Sequence, residues 1–87
     1  MKLNNYMDIA LLEAKKAALR GEVPVGAVLV DQYSKVIAKD GNRTIELNDP
    51  TAHAEILVIR KACLLAKNQR LYKCTLYVTL EPCPMCA

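Results

Sequence analysis

An α/β fold is the class this sequence predicts, on three observations. Two stretches carry apolar residues at helical spacing, a continuous apolar run of strand length lies between them, and a third strand-like run precedes Pro82-Cys83-Pro84-Met85-Cys86. The predicted order is α-β-β-α-β followed by the opening turn of another helix, within one small domain. With 87 residues, 53% of them hydrophobic, the chain has a globular composition but only a thin core. Phe and Trp are absent, so that core must be built from Val, Ile, Leu and Ala.

The first helix is expected over about residues 5–20. Asn5 suits an N-cap, Asp8 falls in the first turn, and Gly21 stands where a C-terminal cap glycine belongs. Met7, Leu11, Ala14 and Ala18 recur at helical spacing and predict the packed face. Lys15, Lys16 and Arg20 complement the negative helix end.

Pro24 then breaks the chain, and residues 25–30 form an apolar run without polar alternation, which predicts a strand buried on both faces. Residues 31–34 are turn-like. Residues 35–39 read as the antiparallel return of a hairpin, with flanking lysines suited to a sheet edge. A loop is expected from Asp40 to Pro50. The second helix should start near Thr51 or Ala52 and run to about residue 67, with Ile56, Ile59, Cys63 and Ala66 as its apolar face. The third strand is expected over residues 75–80 and ends before Pro82; residues 83–86 then open a further helix, where proline is tolerated.

The net charge of +3 is weakly basic, with Lys15, Lys16, Arg20, Arg60, Lys61, Lys67, Arg70 and Lys73 spread along the chain. That balance would assist docking of a polyanion, and it also suits an ordinary solvated surface. No membrane partner is expected: no apolar run approaches transmembrane length, and the segment at residues 9–12 is too short for an export signal. With no such signal, the four cysteines are expected as thiols in a reducing, cytoplasmic setting rather than as a disulfide framework. Cys63 and Cys74 read as core or core-edge thiols.

The chemistry-bearing residues are His53, Glu55, Cys83 and Cys86. One imidazole and two thiolates make three ligands for zinc, which leaves the fourth tetrahedral position open, the arrangement of a catalytic rather than a structural site. Cysteines three apart on the first turn of a helix project to one side, and the positive helix end favours their thiolate form. His53, expected in the first turn of the other helix, would place the metal between two helix N-termini, both of which favour a bound hydroxide; zinc lowers the pKa of bound water to about 7 in well-studied zinc enzymes. Residues two apart on a helix point to different sides, so His53 and Glu55 must straddle the helix end, one toward the metal and one toward substrate. Taken singly, each motif has a plainer reading: a capped-helix histidine with a solvated glutamate, a redox pair, or half of a zinc knuckle. Together they favour catalysis, since no second histidine completes a structural site and a redox pair leaves His53 unused.

Beyond the ligands, the blocks at residues 22–30, 41–43, 49–55 and 75–83 occur in an order that resembles the tRNA-specific adenosine deaminases of the cytidine deaminase-like superfamily. The resemblance implies the N-terminal portion of a three-layer α/β/α cytidine deaminase-like fold. It also implies hydrolytic deamination of adenosine to inosine at the wobble position of a tRNA anticodon, as an activity of the complete protein. It assigns one zinc to His53, Cys83 and Cys86 and the proton shuttle to Glu55. Asn42 and the main chain of Ala54 would contact the base, with Pro24 and Val25 lining its pocket. The implied partner is a tRNA anticodon stem-loop, and the implied assembly is a homodimer at full length. Family members continue with further strands and helices after the second cysteine. On that comparison residues 1–87 are expected to be a partial domain whose third strand has an unpaired edge, and an inactive zinc-binding remnant stands as the alternative. Guanine and cytosine deaminases share the zinc ligands and form a further alternative, although residues 76–83 favour the tRNA-acting branch.

Overall fold

The computed structural model describes residues 5–66 and 73–79. Five elements follow in the order α1 (Asn5–Leu19), β1 (Gly26–Val30), β2 (Val36–Gly41), α2 (Ala54–Ala66) and β3 (Thr75–Val78). The expected turn at residues 83–86 lies outside the described residues, as does the expected end of β3 at Leu80.

The three strands make one sheet in the order β2-β1-β3, with β1 antiparallel to both neighbours. As the central strand, β1 is buried on both faces, as its unbroken apolar run predicts. Alternation along β1 divides the core in two. Ala27 and Leu29 join Val25, Ala38, Ala54, Val58 and Ala62 on the side of α2. Val28 and Val30 join Ala10, Tyr6, Met7 and Tyr77 on the side of α1. The sheet is thus covered on each face by one helix, a three-layer α/β/α arrangement. No helix among the described residues is long and apolar enough to cross a membrane.

The termination of α1 follows the sequence closely. Gly21 has φ +86°, its N–H donates to the Ala18 carbonyl at 2.9 Å, and the Glu22 N–H donates to the Ala17 carbonyl at 2.9 Å. This is the paired-bond cap that a glycine after the last turn permits.

The packed faces of both helices differ from the expected stripes. On α1 the buried positions are Ala10, Glu13, Ala14 and Ala17, while Leu11 is 47% exposed and Ala18 lies on the outside. The reason lies in the sheet. Gly26 and Gly41 are cross-strand partners on the face toward α1, and a Cβ at Gly26 would stand 2.0 Å from the Ala10 carbonyl oxygen. The helix therefore rests on the sheet almost backbone to backbone, a contact that admits alanine and displaces leucine. On α2, Ala54, Val58 and Ala62 face the sheet, and Ile59 and Cys63 instead flank an open apolar groove with Arg60 and Leu64.

Two boundaries also shift. β2 continues through Asp40 and Gly41, which were expected in a loop, because Gly26 and Ala27 on β1 supply them with ladder partners. α2 begins at Ala54 rather than at Thr51 or Ala52. The residues ahead of it are drawn into turns: Asp49 accepts hydrogen bonds from the Thr51 amide and hydroxyl, and the Ala52 N–H donates to the Asp49 carbonyl. β3 forms an edge of the described sheet, with Thr75 and Leu76 exposed.

Candidate active site and metal centre

One end of the sheet collects the predicted site residues. Pro24 is the centre of a three-residue turn closed by the Val25 N–H on the Val23 carbonyl at 2.8 Å, a conformation its ring favours. That turn delivers Val25 to the start of β1, where its carbonyl accepts the Asn42 N–H at 3.1 Å. On the other flank of β1, Thr79 exchanges two bonds with Gly26: its N–H donates to the Gly26 carbonyl, and its Oγ accepts the Gly26 N–H, both at 3.0 Å. The start of β1 thus joins the end of β2 to the end of β3.

Asn42 connects this strand end to α2. Its side chain is fully buried, and its Oδ1 accepts the Ala54 N–H at 2.8 Å, satisfying the first amide of the helix. Its carbonyl accepts from the Arg20 guanidinium at 3.0 Å. Replacing Asn42 by alanine leaves the Ala54 N–H buried without an acceptor, which should cost about 1–3 kcal/mol. A thermal or urea melt reads that loss directly, and an unchanged midpoint would show the bond to be dispensable.

His53 is the residue immediately before α2, not a member of its first turn. Its carbonyl accepts the Leu57 N–H at 2.9 Å, so it occupies the N-cap position, and it is only 8% exposed. Glu55 is the second residue of the helix, and its Oε1 is buried with no hydrogen-bond partner among the described residues. A buried carboxylate oxygen without a donor is costly, so a donor from beyond the described residues belongs opposite it. The cap position of His53 resolves the expected conflict of direction: the imidazole leaves from the helix end while Glu55 leaves from its first turn.

Cys83 and Cys86 lie outside the described residues, and among those described no group of three metal-ligating side chains assembles. The residues that are described fit a zinc centre in their chemistry. A buried imidazole stands at a helix N-terminus, and two residues on lies a carboxylate with one buried oxygen that has no partner among the described residues. Cys83 follows Thr79 by four residues, a reach of at most about 14 Å of chain.

Charged residues that spacing did not single out hold this end of the fold together. The Asp40 carboxylate accepts from Arg43 Nε at 2.8 Å and pairs with Lys61 Nζ at 3.0 Å, linking β2 to α2. Burial pushes the Asp40 carboxyl up, but the bonds from Lys61, the Gly41 amide and Arg43 outweigh it and hold it below the usual carboxylate range. Asp40 and Lys61 are far apart in sequence and on different elements, so no motif could have paired them.

Comparison with known proteins decides the family. The model of the cytidine and deoxycytidylate deaminase zinc-binding region matches residues 1–87. The chain belongs to this deaminase family. It is 60% identical over 83 residues to the tRNA-specific adenosine deaminase of Agrobacterium fabrum, covering 95% of this chain and 54% of that protein. Identity to the tRNA-specific adenosine deaminase of Aquifex aeolicus is 51% over 82 residues, again with 54% of the relative covered. This deaminase-family chain therefore spans about half the length of these relatives. Among solved structures, one from studies of A-to-I editing by tRNA:A34 deaminases superposes with a TM-score of 0.84 at 61% identity, covering 94% of this chain and 62% of that one. The guanine deaminase of Bacillus subtilis superposes with a TM-score of 0.85 at 40% identity, covering 99% and 55%. The three-layer arrangement expected from the sequence is accordingly that of the family.

Proposed function

We propose that this chain carries the metal- and proton-handling part of a tRNA-specific adenosine deaminase, which converts the wobble adenosine of an anticodon to inosine. The observation that carries the reading is Glu55: a buried carboxylate oxygen without a partner among the described residues, two residues from a buried histidine at the start of a helix. Relatives at 60% and 51% identity that are named tRNA-specific adenosine deaminases supply the substrate class.

In this reading His53, Cys83 and Cys86 hold one zinc, and zinc supplies, when bound, the activation of a water at neutral pH. Glu55 takes a proton from the attacking water and delivers it to the ring nitrogen beside C6 of adenine. After water oxygen has bonded to C6, Glu55 carries the second water proton to the amino group, which leaves as ammonia. The balance is adenosine plus water giving inosine plus ammonia, with Glu55 returned to its starting state. Asn42 presents its amide nitrogen to the base while its oxygen stays on Ala54; Ala54, Pro24 and Val25 form the pocket wall. The partner is an anticodon stem-loop, in a cytoplasmic setting, and the full-length protein acts as a homodimer.

A guanine deaminase is the second reading, favoured by the equally close superposition on the Bacillus subtilis enzyme. Both are tested together by incubating the zinc-loaded chain with an anticodon stem-loop bearing adenosine at the wobble position and, separately, with free guanine. Inosine in the digested RNA supports the first reading, and xanthine supports the second. Neither product from this chain holding one zinc would leave it a zinc-binding unit, and neither product from the zinc-loaded full-length protein would reject catalysis by these residues.

A further inference from the structure

We propose that Glu22 is a positioning residue that holds the turn between Asn42 and His53, and so sets the placement of both. The inference rests on the site reading above in assigning those two residues to the centre. Its neck is closed by the Arg43 N–H on the Ala52 carbonyl at 3.0 Å, directly beside Asn42 and His53. Within the turn, the Leu47 N–H bonds to the Arg43 carbonyl, Asn48 to Ile45, and Asp49 to Thr44, with Asn48 at φ +53°. These bonds serve the amides at the rear of the turn and leave those of Ile45 and Glu46 at its front.

Glu22 takes both. Its Oε1 accepts the Ile45 N–H at 3.1 Å and the Thr44 hydroxyl at 3.3 Å, and its Oε2 accepts the Glu46 N–H at 2.8 Å. This is N-terminal capping of a helical turn performed by a carboxylate from a distant part of the chain. Packing does not provide an alternative anchor, because Ile45 is 68% and Leu47 50% exposed. Glu22 is itself fixed, since its own N–H closes the cap of α1 on Ala17. Arg20, two residues earlier, pairs with Glu46 at 3.4 Å and bonds the Asn42 carbonyl, so the end of α1 grips the turn at its front and at its neck. Burial pushes the Glu22 carboxyl up, yet the Glu46 and Ile45 amides, the Thr44 hydroxyl and the Arg20 charge together hold it below the usual range, consistent with an ionised acceptor.

The test compares zinc affinity, measured by chelator competition, with amide exchange at Ile45 and Glu46 in three variants of the chain. Glu22→Ala should accelerate exchange at both amides and weaken zinc binding about tenfold, the lower end for loss of support around a metal ligand. Glu22→Gln retains one accepting oxygen and should fall between Glu22→Ala and the wild type, which keeps the comparison open should the alanine variant fail to fold. Val28→Ala, on the α1 side of the sheet, supplies a destabilised control that leaves the turn alone, and its zinc affinity should match wild type. The proposal is overturned if Glu22→Ala and Glu22→Gln bind zinc as wild type does, or if Val28→Ala weakens zinc binding equally. No deamination assay enters this decision, so an inactive full-length protein would reject the proposed function without bearing on Glu22.

Discussion

Glu55→Gln is expected to lower turnover of an anticodon stem-loop on the order of 10²- to 10⁴-fold, the range for loss of a positioned proton-transfer group, with zinc per chain unchanged. The substitution keeps size and hydrogen-bonding capacity but removes the group that can accept and return a proton. Glu55 lies on the first turn of α2, and the proposed ligands are His53 and the two cysteines, so zinc content should be insensitive to it. Stability should hold or rise, because the buried Oε1 has no partner to lose among the described residues and a neutral amide is cheaper to bury than a carboxylate. Turnover with inosine quantified from digested RNA, zinc by elemental analysis and a thermal melt on the same preparation give the three readouts. A variant that keeps its rate would remove Glu55 from the mechanism, and one that loses zinc would make it a structural residue of the centre.

The largest expected effect on stability belongs to Gly26→Ala. A methyl group there would stand 2.0 Å from the Ala10 carbonyl oxygen, 2.6 Å from the Ala14 amide nitrogen and 3.0 Å from Glu13 Cβ. The first two obstacles are backbone atoms of α1 and cannot turn aside, so the helix as a whole must lift from the sheet. Overpacking of this kind costs about 1–3 kcal/mol and occasionally more, and a rigid obstacle puts the change at or above the upper end. Against a stability of about 5–15 kcal/mol for a small domain, that is a large share. Gly21→Ala is the matched control. It faces open space and bears only the strain of a positive φ, about 1–2 kcal/mol. Urea denaturation of the two variants separates close approach from backbone strain, and equal midpoints would show that α1 is not seated on Gly26 as described. Lifting α1 should also disturb the site, since Gly26 bonds Thr79 and the neighbouring Val25 bonds Asn42.

Much of the fold was legible because its signals are local. The unbroken apolar run of β1 announces a central strand, Gly21 marks the end of α1, and Pro24 marks the turn into the sheet. His53 and Glu55 stand out in the sequence by residue type and spacing alone. The misreadings share one cause, which is that helical periodicity finds large apolar side chains whereas these interfaces are built from small ones. Leu11 and Ile59 look like core by composition, yet Ala10, Ala14 and Ala17 on α1 and Ala54 and Ala62 on α2 make the contacts. The expected start of α2 at Thr51 or Ala52 fails for a different reason: Asp49 competes for the amide and hydroxyl of Thr51, and such side-chain bonds outweigh local helix preference.

By itself, then, the sequence determined the α/β class, the family and the approximate place of each element, and it singled out the residues proposed to bind metal and move protons, since all of these depend on residue type and short-range spacing. Only the tertiary structure decided that His53 caps α2 rather than joining it, that the Asn42 side chain is committed to the Ala54 amide, and that Glu22 and Arg20 reach across to hold the turn between them. Those decisions rest on hydrogen bonds and ion pairs between residues distant in sequence, whose partners are set by how closely α1 settles on two glycines of the sheet and not by any pattern along the chain.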